Sequence, residues 1–180
     1  WQDMFPMNPP LSMSVNVSGK LIVQPDMVDM MASILDGYGL PASTLRLEIT
    51  ESAIMHHGPE SLRLMGQLRE MGIELHVDDF GTGYSSLSYL QRFSYDSLKI
   101  DKSFVSSIDA GQQDSAIVGA IIALGASLGI TVIAEGVETL KQLEVLQRMQ
   151  CPEAQGFWFS KPLDNRGIGA LLSNTLEIAH

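Results

Sequence analysis

The chain has 180 residues, 45% of them hydrophobic and 18% charged, which is enough apolar content for one sizeable core. Its net charge of −10 argues against a protein that grips duplex nucleic acid through its phosphates, since that takes clustered Lys and Arg. No apolar run approaches the roughly 18 residues of a membrane span, so no membrane contact is expected of this segment, and the single cysteine, Cys151, allows no internal disulfide, which fits a reducing, cytoplasmic compartment.

Trp1 to Pro6 carry neither an initiator Met nor a charged segment followed by an apolar core, so they read as a cut through a larger protein and not as a signal peptide. Leu11 to Ser18 is the first strand-like run and ends in Asn16. Met27, Met30, Met31, Ile34 and Leu35 then recur at helical spacing, with Pro25 and Asp26 suited to the first turn and Gly37 or Gly39 to the exit. A second strand, Leu45 to Thr50, carries Glu48, with Glu51 just beyond. His56 and His57, beside Gly58 and Pro59, read as a solvated pair in a loop, and Leu64, Leu68 and Met71 predict the next helix.

The run from Ile73 to Gly83 is an apolar strand ending in Asp78 and Asp79, followed by the Gly81–Gly83 turn. Two adjacent carboxylates repel and raise each other's pKa unless a cation sits between them. Oxygen ligands alone favour a hard ion such as Mg²⁺, Mn²⁺ or Ca²⁺. The alternative is a solvated pair opening a turn, with the glycines supplying positive φ. His76, inside the strand, reads as a satisfied core or rim histidine, because no Cys or second His lies at ligand spacing.

Ser97 to Val105 is the next predicted strand, with Lys99 and Asp101; Lys99 on its own could be a salt bridge to Asp101 or to a neighbouring strand. Ile117, Ile121, Ile122, Leu124 and Leu128 predict a buried helix interrupted by Gly119, Gly125 and Ser127. Ile130 to Glu135 is a strand that runs on to Glu138, after which Thr139 and Gln142 form a capping box. Cys151 beside Pro152 reads as a loop or core filler. A sixth strand, Gln155 to Pro162, opens with Gln155, and its Phe157, Trp158 and Phe159 are expected to fill a barrel; beyond Leu163 the chain tails off through Asn165, Gly167 and Ser173.

The marked polar positions 16, 48, 78, 99, 135 and 155 are 32, 30, 21, 36 and 20 residues apart, about one strand-helix unit each. An open doubly wound sheet would collect ligands at one switch point, whereas a (β/α)₈ barrel gathers every strand end around one rim. Polar residues at the ends of six strands favour the barrel, although such a barrel takes eight strands and about 250 residues.

These residues resemble the EAL-domain cyclic-di-GMP phosphodiesterases of bacteria. The resemblance runs from Ser14-Val15-Asn16-Val17-Ser18 through Leu47-Glu48-Ile49-Thr50-Glu51-Ser52, Asp78-Asp79-Phe80-Gly81-Thr82-Gly83-Tyr84-Ser85-Ser86-Leu87 and Leu98-Lys99-Ile100-Asp101 to Ala134-Glu135-Gly136-Val137-Glu138 and Gln155-Gly156-Phe157, six motifs in order and register. It implies an α/β fold, a modified TIM (β/α)₈ barrel with one antiparallel strand, here as one domain over residues 1–180 that lacks its N-terminal strands and keeps about six of eight strand-helix units.

It further implies two divalent cations, Mg²⁺ or Mn²⁺, that activate a water to open cyclic di-GMP to linear pGpG. Asn16, Glu48, Asp78 and Asp79 would be metal ligands, Lys99 would hydrogen-bond the water and balance charge, Glu135 would be general base or water-positioning carboxylate, and Gln155 would complete the site. Glu51 would anchor the loop from Asp79 to Ser86 and Glu138 would support the site from outside, unless both are ordinary charges at helix N-termini. Other expectations carried by the resemblance are a homodimer through the Gly81–Ser86 loop region and fusion to upstream sensory or GGDEF-type domains. The Glu-Ala-Leu motif, whose Glu is a metal ligand in the family and is followed by a phosphate-contacting arginine, is absent from this chain. The fragment by itself is therefore expected to be a poor catalyst, and a non-catalytic cyclic-di-GMP-binding sensor or interaction module is the alternative reading.

Overall fold

Apolar runs at strand period alternate with runs at helical period, and the computed structural model, which describes residues 1–7, 9–83, 95–108 and 112–178, shows the matching alternation of elements. The strands are β1 (Met13–Asn16), β2 (Leu45–Thr50), β3 (Glu74–Phe80), β4 (Ser97–Ile100), β5 (Thr131–Ala134) and β6 (Glu153–Ala154). The described helices are α1 (Met27–Tyr38), α2 (Glu51–Glu70), α3 (Lys102–Ser107), α4 (Gln112–Leu128), α5 (Leu140–Arg148) and α6 (Asn165–Ile178). All neighbouring strands pair in parallel, in the order β1-β2-β3-β4-β5-β6. A doubly wound sheet would reverse its order at a switch point. Here the order never reverses, and the six strands form a half-barrel of α/β class.

The two faces of the sheet differ in chemistry because strand side chains alternate. Leu47, Ile49, Leu75, Val77, Leu98, Ile100, Val132 and Ala134 are buried in one core with Ile54, Met65 and Leu68 of α2 and Val118 and Ile121 of α4. Each large aliphatic side chain buried in this layer contributes about 1.5–3 kcal/mol. The alternate positions, Glu48, His76, Asp78, Ser97 and Lys99, lie on the opposite side. Gly39 ends α1 with φ +64° and its N–H donated to Asp36 O at 3.1 Å, as the helix signals require. Thr139 and Gln142 form the expected capping box of α5.

Several predicted boundaries are corrected. The fourth strand stops at Ile100 and does not reach Val105, because Asp101 caps α3 by accepting from Ser103 N at 2.9 Å and from Ser103 Oγ. His56 and His57 lie in α2, not in a loop. Thr50 Oγ1 caps that helix by accepting from Ala53 N at 3.4 Å, His56 Nδ1 donates to Ser52 O at 3.0 Å, and the helix runs through Pro59. The loss of one backbone donor at Pro59 is outweighed by the buried stripe of Ile54, Ser61, Leu64, Met65 and Leu68 that continues on both sides of it.

The sixth strand precedes Gln155 instead of starting there. Gly156 follows with φ +156°, pressed so closely on Val137 that an added Cβ would sit 2.3 Å from Val137 N and O. The chain turns at this point, with Phe159 N donating to Gly156 O at 3.1 Å and Trp158 N to Val137 O at 2.9 Å. Phe157, Trp158 and Phe159 consequently remain 44–55% exposed and do not fill the barrel. Asn165, Gly167 and Ser173 belong to α6 and not to an irregular tail; Asp164 Oδ1 accepts from Gly167 N at 2.8 Å in its first turn.

Candidate functional site

Lys99, near the end of β4, is the hub of the polar face. Its Nζ lies 2.8 Å from Glu48 Oε2 on β2, 3.0 Å from Asp78 Oδ1 on β3 and 2.5 Å from Glu135 Oε1 just past β5, with the lysine side chain only 4% exposed. Parallel, sequential strands bring these ends together although they are far apart in sequence. The lysine reaches across three strands, and this geometry replaces the pairing with Asp101 that spacing alone allowed. Burial alone would lower the Lys99 pKa, but the Glu135 and Glu48 carboxylates that accept from its ammonium, together with the nearby Asp78, more than offset it and raise the pKa above its ordinary value. The ammonium is therefore charged at neutral pH. Burial raises the pKa of Glu135, with Asp78 and Glu48 adding to the rise and Lys99 opposing it.

Consecutive strand residues point to opposite faces, so Asp78 and Asp79 would not normally serve one site. A bulge resolves this. Val77 pairs with Leu98 and Phe80 with Ile100, so three steps on β3 face two on β4. Asp79 absorbs the extra residue with φ +54°, a left-handed conformation uncommon for a side chain other than glycine. As a result Asp78, Asp79 and Glu135 each offer a carboxylate oxygen within 4.8 Å of the others. Burial first, then the charges of Asp78 and Asp101, raise the pKa of Asp79.

The remaining predicted residues surround this cluster unequally. Gln155 Nε2 donates to Glu135 Oε1 at 2.7 Å, and Gln155 N holds Ala134 O at 2.8 Å. Glu51, 4% exposed at the start of α2, accepts from Gly81 N at 3.1 Å, just after the bulge. Asn16 ends β1 in register with Glu48 and is exposed. Glu138 is also exposed, and its backbone N–H donates to Gln142 Oε1 at 2.8 Å. Tyr84 to Ser86, the far part of the predicted loop, lie outside the described residues.

One participant was missed by sequence reasoning. Asp101 caps α3 and lies beside Asp79; burial would raise its pKa, but Ser103 and Asp79 lower it. The Asp-x-Ser pattern after Ile100 was the available signal. His76 is buried as expected: its Nε2 lies 3.6 Å from Glu74 Oε2, and Nδ1 has no hydrogen-bond partner among the described residues.

The donor set fits a hard divalent cation. The three clustered groups offer only oxygen, and Asp78 Oδ1, although near Lys99 Nζ, is buried and has no hydrogen-bond partner among the described residues.

The family model described as the EAL domain matches residues 1–162. The chain is 44% identical over 153 residues to the cyclic di-GMP phosphodiesterase NbdA of Pseudomonas aeruginosa, a match covering 85% of this chain and 20% of that protein. It is 38% identical over 167 residues to the oxygen sensor protein DosP of Escherichia coli, covering 93% and 21% respectively. Among solved structures it is similar to the PaMucR phosphodiesterase in complex with c-di-GMP, with TM-score 0.86 and 39% identity over 91% of this chain and 66% of that one. It is likewise similar to Klebsiella pneumoniae BlrP1 in a manganese/cyclic-di-GMP complex, with TM-score 0.80 and 34% identity over 89% and 41%. The chain spans about a fifth of the length of the curated relatives it matches.

Proposed function

Because the chain belongs to the EAL domain family, we propose that residues 1–180 are a single phosphodiesterase domain that hydrolyses cyclic di-GMP to linear pGpG with divalent cations, Mg²⁺ or Mn²⁺. The observation that carries the reading is the convergence of Glu48, Asp78 and Glu135 on Lys99, with Asp79 turned by the bulge toward the same place.

Asn16, Glu48, Asp78 and Asp79 would hold the cations. When bound, these would polarise a water and neutralise charge on the phosphodiester. Glu135, fixed between Lys99 Nζ and Gln155 Nε2, is placed to accept a proton from the attacking water as the phosphorus–oxygen bond to the leaving ribose breaks. Lys99 holds the carboxylates together and balances their charge, and its remaining N–H orients the water. Gln155 aims Glu135. Glu51 steadies the turn after Asp79 through Gly81, and Glu138 supports the site from farther out.

The same reading places the protein in the cytoplasm, as a homodimer through the Gly81–Ser86 region, joined to sensory or GGDEF-type domains. The relatives DosP, an oxygen sensor, and MucR, a bifunctional diguanylate cyclase/cyclic di-GMP phosphodiesterase, support such an arrangement by analogy. Asp78→Asn and Glu135→Gln in the full-length protein are expected to abolish hydrolysis while leaving the fold intact by circular dichroism. Near-wild-type turnover in both would overturn the assignments. Ligand binding without turnover in the unaltered protein would favour the non-catalytic sensor.

A further inference from the structure

Beneath the carboxylate cluster, the polar face of the sheet continues through residues that the proposed reaction does not use. Lys99, Glu48 and Asp78 face one side, and strand alternation puts Ser97, Arg46, His76 and Glu74 on that side as well. His76 and Ser97 are register partners on β3 and β4, and they are 5% and 2% exposed. His76 Nδ1 and Ser97 Oγ are both buried and have no hydrogen-bond partner among the described residues, each other included.

Buried polar atoms in folded proteins are almost always bonded to protein or to ordered water. The surroundings fix what each atom needs. Glu74 Oε2 accepts from Arg46 Nε at 2.7 Å and lies 3.6 Å from His76 Nε2, so the carboxylate faces the ring nitrogen that carries hydrogen. Nδ1 is then a lone-pair acceptor that needs a donor, and Ser97 Oγ can both donate and accept. Ser97 and its register partner Thr131 occupy inward positions that larger aliphatic side chains ordinarily fill in such barrels.

We propose that His76 Nδ1 and Ser97 Oγ bracket an internal hydration site holding one ordered water between β3 and β4, below the catalytic cluster. The water donates to Nδ1 and bonds to Ser97 Oγ. It completes the polar interior without a direct Ser97–His76 contact, and its presence does not depend on the phosphodiesterase reading.

The test combines a high-resolution crystal structure of the protein with imidazole nitrogen NMR of the wild type, Ser97→Ala and Ser97→Val. The expected density is a single water peak within hydrogen-bond distance of both atoms. The Nδ1 resonance is expected to keep the shift of a hydrogen-bonded acceptor in the wild type and in Ser97→Ala, where the water stays. It should move toward that of an unbonded nitrogen in Ser97→Val, whose methyl groups take the water's place. A direct Ser97 Oγ–Nδ1 bond or an empty gap in the density would overturn the site, as would an Nδ1 shift that alanine alters as much as valine. The crystal structure and the alanine variant decide the matter even if the valine variant fails to fold.

Discussion

At the scale of single residues, the decisive one is Lys99, whose ammonium is the described cation within contact of Glu48, Asp78 and Glu135. Removing one partner from a buried ionic cluster leaves the others uncompensated and costs about 3–5 kcal/mol. Lys99→Met is therefore expected to lose stability on that order in urea unfolding and to lose hydrolysis. A variant as stable as the wild type would mean that the carboxylates do not need the lysine.

Glu135 and Asp79 make a second prediction, about pH. Burial is the first cause of the raised pKa of both, so between the ordinary carboxylate value and the raised values the folded chain binds more protons than the unfolded one. Without divalent cations the stability they confer is present below that window and declines as pH rises through it. A divalent cation needs the ionised groups, so its stabilisation runs in the opposite direction. The gain in Tm from Mg²⁺ or Mn²⁺ should accordingly be larger near pH ~8 than near pH ~5. An equal gain at both would place the cation elsewhere. The identity of these residues could be read in the sequence from polar groups at strand ends. Their mutual distances could not, because Lys99 chooses among carboxylates 51, 21 and 36 residues away, at positions 48, 78 and 135, only once the strands are ordered.

At the scale of elements, the bulge in β3 explains why two adjacent aspartates can serve one site, and the sequence carries no local mark of it beyond the two carboxylates themselves. The caps were more legible. Thr139 and Gln142 were identified from their spacing and do form the box, so Thr139→Ala should cost about 1 kcal/mol, measurable by thermal unfolding. The predicted strand over Ser97 to Val105 includes Asp101, yet the Asp101 cap to Ser103 wins over the extended form.

Pro59 misled in the other direction, since a buried stripe outweighed one missing hydrogen bond. Glu51 joins α2 to the turn after β3. Glu51→Ala is expected to reduce kcat by ~10–100-fold with little change in the circular dichroism spectrum, as for other residues that orient a metal site from outside. Unchanged kcat would reduce Glu51 to a helix N-terminal charge.

At the scale of the whole molecule, repeated spacing made the strand-helix alternation legible and polar residues at six strand ends favoured the barrel; the sequential parallel order distinguishes that sheet from a doubly wound one. The bounds of β1 and β6 were not legible: pairing trims β1 to the four residues Met13–Asn16, and β6 is the two residues Glu153–Ala154, ahead of the predicted start at Gln155. Both are edges of an open sheet, and β1 is exposed at every position. A closed barrel removes such edges and completes the rim on which the site sits. The aromatic residues from Phe157 to Phe159, half-exposed beside β6, lie at this open side.

In the proposed function, the cluster around Lys99 is the working part of a metal-dependent phosphodiesterase that needs the closed barrel. The most direct measurement is conversion of cyclic di-GMP to the linear dinucleotide, followed by chromatography with Mg²⁺ or Mn²⁺ and with a chelator. It would be run side by side on this chain and on a protein extended upstream to include a Glu-Ala-Leu strand. Metal-dependent hydrolysis by the extended protein, abolished by chelation and weak or absent in the shorter chain, is the predicted result. No hydrolysis by either, with cyclic di-GMP still bound, would contradict the claim.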